Sequence, residues 1–216
     1  MAILSKSVVL SAATTVNAEL ISSRDAIAQR FSSVEVLSAS DKKEIQASET
    51  KCKYFAMLLS AIESDDRALS ALFYTVKHAK VDPDVLLKEI ASASYSLEKL
   101  AYLLKTIAQR VVIYDVSDRS AANICIMVEA LRAGKERFTK ADFKKIQDAL
   151  KNDVGVNPDM GFTQCDQTLK LCERLGLVEH KAEKKSSPYA VFNVCDNDLT
   201  RYLKSLFVKA EKENEE

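Results

Sequence analysis

Residues Gly161–Val194, GFTQCDQTLKLCERLGLVEHKAEKKSSPYAVFNV, carry the pattern that decides the fold. Phe162, Cys165, Leu169, Cys172 and Leu175 recur at helical spacing, which turns Gln164, Asp166, Gln167, Lys170 and Arg174 outward. Gly176 stops the helix. Leu177 and Val178 then open an alternating run to Glu183. A polar turn from Lys184 to Pro188 follows, then a β-rich run from Tyr189 to Val194. The pattern predicts one amphipathic helix feeding a two-stranded antiparallel ribbon with a basic tip.

Working outward, Asp118 caps a predicted helix through Ala133 with Ile124, Met127, Val128 and Leu131 inward, and Gly134 ends it. Thr139 caps the next, which places Phe143, Ile146 and Leu150 inward and Lys140, Lys144, Lys145 and Lys151 outward. A loop from Asn152 to Gly161 leads into the helix quoted above. A last helix spans about Asn197 to Ala210, followed by a charge-rich tail.

Three helices, a hairpin and a closing helix follow one another here, with Leu175, Gly176, Leu177 and Val178 at the turn into the ribbon. Over about residues 118–195 the chain resembles the winged-helix superfamily of DNA-binding regulators, although the loop before the last of the three helices is longer than a tight helix-turn-helix uses. The resemblance implies that Thr163, Gln164 and Gln167 face base edges in a major groove, since an amide can pair bidentately with adenine. Lys140, Lys144, Lys145 and Lys151 would meet phosphates, Lys170 would add a cation to the recognition helix, and Lys181, Lys184 and Lys185 would form the wing.

The first half is punctuated differently. All four glycines lie between Gly134 and Gly176, and Pro83 is the one proline of the first 133 residues, so long helices are expected there. Val9, Ala13, Val16, Leu20 and Ile27 give one apolar face from about Ser5 to Phe31. Asp41 is the expected cap of a second helix bearing Ile45, Cys52, Phe55, Leu59 and Ile62. A third runs from about Asp65 to Lys80, and Asp82-Pro83 starts a fourth. In that fourth helix Leu86, Ile90, Ala93, Leu97, Leu100, Leu104 and Ile107 form a continuous heptad seam. The seam closes either inside a helical bundle or between two chains, with Leu86, Ile90, Leu97, Leu100, Leu104 and Ile107 as the oligomerisation surface. The expectation is therefore a mostly α protein with a helical domain over residues 1–115 and a winged-helix domain over 116–216.

Composition narrows the function. Thirty-one basic and thirty-one acidic side chains cancel, so any nucleic-acid footprint must be a local patch. The richest basic segment is Arg132 to Lys151. The five cysteines form no CxxC pair, and reduced thiols in an intracellular protein are expected. No metal-ligand spacing, phosphate loop or nucleophile–base pairing suggests catalysis or a cofactor: His78 lies in a helical segment and His180 reads as a surface group on the first wing strand. No membrane span or small-molecule substrate is evident. The leading expectation is non-enzymatic DNA binding as a dimer. The rival is a scaffolding subunit that uses the winged helix, with exposed Tyr189 and Phe192, as an assembly surface.

Overall fold

A computed structural model describes residues 3–109, 136–142, 145, 163–180 and 191–206, without the side chains of 138 and 163–165. The expected helix over 118–133, the loop 152–161, the wing tip with Tyr189 and the tail beyond Leu206 lie outside these residues. The chain divides into two compact units, Met1–Val111 and Val112–Glu216. The described residues are mostly helical, with a small antiparallel sheet.

In the first unit the helices are α1 (Lys6–Phe31), α2 (Ala39–Ser64), α3 (Asp66–Ala79), α4 (Pro83–Ser92) and α5 (Ser94–Ala108). Their starts follow from local hydrogen bonding. Ser5 Oγ accepts from the Val8 N–H at 3.3 Å, and the Asp65 and Asp82 carboxylates accept from Arg67 and Asp84 N–H groups at 2.8 and 2.9 Å. The cap of α2 differs from expectation: Ser38 occupies it and Asp41 sits three residues on. The Asp41 N–H donates to Ser38 Oγ at 3.2 Å, while the Ser38 N–H donates to the Asp41 carboxylate at 2.9 Å, a reciprocal capping box.

Those bonds from Ser38, its side chain foremost and then its backbone, hold the Asp41 carboxyl below the usual carboxylate range. A depressed folded-state pKa means the contribution is complete above the ordinary carboxylate value and fades as pH falls through the lowered one. Thermal unfolding of Asp41→Asn beside wild type is expected to show a gap at neutral pH that closes as acid protonates Asp41. A gap of constant size would disprove the coupling.

Helix α3 ends with Lys80 in the left-handed region at φ 56°, its N–H bonded to the Val76 carbonyl at 3.1 Å. A side chain is strained there and glycine is not. Lys80→Gly is expected to stabilise the unit by about 0.5–1 kcal/mol in urea unfolding, and destabilisation would contradict that account.

The heptad seam does not run through one helix. Ala93 is extended at φ −104°, ψ 96°, and separates α4 from α5. Ser92, Ser94 and Ser96 crowd the break, and Ser92 Oγ donates back to the Glu89 carbonyl at 2.7 Å, the competition that weakens serine inside helices. The bend lets α4 pack on α1 while α5 packs on α2 and α3. Leu86, Ile90, Leu97, Leu100, Leu104 and Ile107 are then all buried by the chain's own helices, alongside Phe55, Leu58, Ile62, Leu72 and Val76. Each such side chain contributes about 1.5–3 kcal/mol, whereas exposed ion pairs such as Lys88–Glu19 and Lys6–Asp66 are screened by water, so the apolar core dominates this unit. The seam offered as an oligomerisation surface is therefore already covered within one chain. Arg67 adds a tie from the start of α3 to the end of α5, bonding the Asp65 carboxylate at 2.7 Å and the Ala108 carbonyl at 3.3 Å.

In the second unit the described elements are β1 (Arg137–Thr139), α6 (Thr163–Arg174), β2 (Val178–His180), β3 (Val191–Val194) and α7 (Asp198–Leu206). The expected ribbon is present: β2 pairs antiparallel with β3 in the register Val178↔Val194, Glu179↔Asn193, His180↔Phe192. A third strand joins it. Arg137↔Asn193 and Thr139↔Val191 pair β1 with the other edge of β3, giving the order β1-β3-β2. Three residues are too few to show a period of two, so β1 has no legible sequence signal.

Candidate nucleic-acid interface

Helix α6 is positioned from both ends. At its C-terminus Gly176 takes φ 71°, the Leu177 N–H donates to the Cys172 carbonyl at 2.8 Å and the Gly176 N–H to that of Glu173 at 3.0 Å. This double closure satisfies carbonyls left over by the last turn and needs a residue without a Cβ at Gly176. Asn197 then clamps the corner, donating from Nδ2 to the Gly176 carbonyl at 2.7 Å while its Oδ1 accepts the Thr200 N–H at 3.0 Å to cap α7. The helix, the ribbon and α7 thus share one hydrogen-bonded corner.

Burial divides α6 into two faces. Leu169, Cys172 and Leu175 of the expected apolar face are covered, and Thr168 and Leu171 with them; Phe162 and the Cys165 side chain lie outside the described residues. Lys170 and Arg174 are exposed, whereas Gln167 is half-buried and its amide oxygen is covered without a hydrogen-bond partner among the described residues, so the expected presentation of that amide to a base edge is not what the structure shows. Gln167, Lys170 and Arg174 stand at i, i+3 and i+7, so they share one stripe. The sequence pattern turns Arg174 outward and assigns it no role. Its spacing of four from Lys170 is the signal that joins it to the site.

The acidic dilution of this helix is partly cancelled from within. Lys140, in the helical turn that follows β1, is only 4% exposed, and its ammonium is paired with the Asp166 carboxylate of α6. A phosphate contact by Lys140 would require that pair to open, so the expected outward position of Lys140 is replaced by a structural one. Thr139 starts this turn as expected: its Oγ1 accepts the Asp142 N–H at 3.1 Å and its own N–H donates to the Asp142 carboxylate at 2.7 Å. Lys145 is exposed. Lys144, Lys151, Lys181, Lys184 and Lys185, and the side chains of Thr163 and Gln164, lie outside the described residues.

Two aromatic expectations change. Phe192 is 3% exposed and stacks on the His180 ring with centroids 4.8 Å apart, so it is a core group of the ribbon rather than part of an assembly surface. His180 is half-buried, and its Nδ1–H donates to the Val191 carbonyl at 2.8 Å, since a carbonyl can only accept. That bond spans β2 and β3. His78, by contrast, is exposed on α3. Cys52, Cys172 and Cys195 are not joined in disulfides, and burial, more than the nearby Asp25 carboxylate, pushes the Cys52 thiol up.

Among the described residues no group of three or more His, Cys, Asp or Glu side chains is placed to hold a metal. Among the same residues no helix is long and apolar enough to cross a membrane. Comparison with protein-family models, with curated proteins and with solved structures finds no match.

Proposed function

We propose that the C-terminal unit is a winged-helix module that binds duplex DNA without catalysing a reaction, with α6 in the major groove and the segment between β2 and β3 as the wing. The observation that carries this reading is the division of α6: apolar groups buried along one side, the cations Lys170 and Arg174 exposed one turn apart along the other. Lys145 adds a further exposed cation. The strand order β1-β3-β2 supports the same reading, because it ties the turn that opens at Lys140 to the second wing strand and so braces the recognition helix against the ribbon. Pairing of the Asp166 carboxylate with Lys140 offsets one anion in the potential a phosphate would meet.

The test is a fluorescence-polarisation titration of the full chain on duplex DNA at several salt concentrations. The affinity is expected to fall with salt along a slope of about −0.9 per phosphate neutralised. Absence of salt-dependent binding at low ionic strength would end the proposal. The second reading, a scaffolding subunit, draws on the exposed Val85 and Tyr95 of the first unit, 57% and 58% accessible, and on the neutral overall charge. A stable hetero-complex purified from the native host without nucleic acid would favour it.

A further inference from the structure

The helices α1 and α2 are longer than the core they serve. Past Val16 on α1 and before Cys52 on α2 no residue is buried, so the outer half of this hairpin has no covered core of its own. A groove of about 510 Å³ lies between the two helices. Asn17, Ile21, Arg24 and Ala28 line it from α1, and Ile45, Glu49, Cys52 and Ala56 from α2. Both rows advance by four, three and four residues. That is the knob spacing of a helix whose seam meets a partner helix, and here two such seams lie side by side, as on the open face of half a four-helix arrangement.

The character of the lining identifies the occupant. Ile21 is 37% exposed, an apolar knob left in solvent. The Asn17 amide oxygen is buried in the groove without a hydrogen-bond partner among the described residues. A single polar side chain at a seam position specifies register and oligomer state at a cost in stability. The groove also holds both signs of charge, Arg24 and Lys53 with Glu49. A two-fold contact uses one patch twice, so a patch carrying both signs complements itself, whereas a strongly acidic or basic partner would meet one wrong sign.

We propose that a second copy of this chain occupies the groove, so that two α1–α2 hairpins close into a four-helix arm about a two-fold axis. This goes beyond the nucleic-acid reading, lies in the other unit, and is tested without DNA. Light scattering on the full chain is expected to give twice the chain mass. Ile21→Glu with Ile45→Glu is expected to give the single-chain mass with unchanged far-ultraviolet circular dichroism, since neither site is buried. Val85→Glu, an exposed apolar site outside the groove, should leave the doubled mass in place. A charge exchange adds a second check: Arg24→Glu should weaken the dimer at least about tenfold, and Arg24→Glu with Glu49→Arg should restore it, the size of effect that about 1.4 kcal/mol produces. A single-chain mass for wild type up to roughly 100 μM, where a 1 μM contact would be largely closed, overturns the proposal. So does a dimer that survives both glutamates, a stable assembly larger than two, or an exchange that folds but does not restore pairing.

Discussion

Lys170→Glu combined with Arg174→Glu is expected to weaken duplex DNA binding at low salt by about 100-fold or more and to flatten the salt dependence by about two contacts. Both side chains are exposed on the same stripe of α6, one turn apart, so each can reach a phosphate or a base edge while the buried side of the helix keeps its place. Reversal rather than truncation is the stronger test, because it adds repulsion to the loss of attraction. The comparison protein should carry Lys42→Glu with Lys43→Glu on the exposed start of α2, which changes net charge equally at a distance in sequence from the stripe. Equal weakening in both proteins would mean that net charge, not α6, governs association, and the interface assigned here would be wrong.

Asp166→Ala is expected to cost the C-terminal unit about 2–3 kcal/mol. The Lys140 side chain is 5% exposed, so removing the Asp166 carboxylate takes an ion-pair partner from an ammonium that water reaches poorly. The Asp166 side chain is itself 37% exposed, which places the effect at or just below the low end of what breaking a buried pair costs. Adding Lys140→Met to Asp166→Ala should recover most of the loss, because an apolar side chain of similar length fills the space without a charge to desolvate. Urea unfolding of the two single variants and the double variant gives the coupling directly. If Asp166→Ala unfolds like wild type, the pair behaves as a surface contact and Lys140 is available for phosphate after all. The two predictions are separable, since one reads affinity at unchanged fold and the other reads fold without DNA.

Capping and turn chemistry were legible in the residues because they act over three or four positions. Ser5, Asp65 and Asp82-Pro83 start helices, and Gly176 stops α6 in the conformation its missing Cβ permits. The antiparallel pairing of β2 with β3 was legible too, from alternation on either side of a polar turn. Even the local reading had limits. Asp41 and Ser38 are both good capping residues three apart, and their reciprocal bonding makes Ser38 the cap while Asp41 supports it.

Spacing along the chain thus determined where most described helices begin and end and which side of α6 is apolar. Only the tertiary structure decided what those faces meet. A heptad seam looks the same whether a helix is straight or broken, and the need of α4 for α1 and of α5 for α2 and α3 bends it at Ala93 and hides it within one chain. A three-residue strand is silent until β3 offers an edge, and a lysine at helical spacing reads as solvated until Asp166 closes over it. The reason is common to all three: burial and pairing are set by groups far away in sequence, and no period within a short segment encodes the identity of its neighbour.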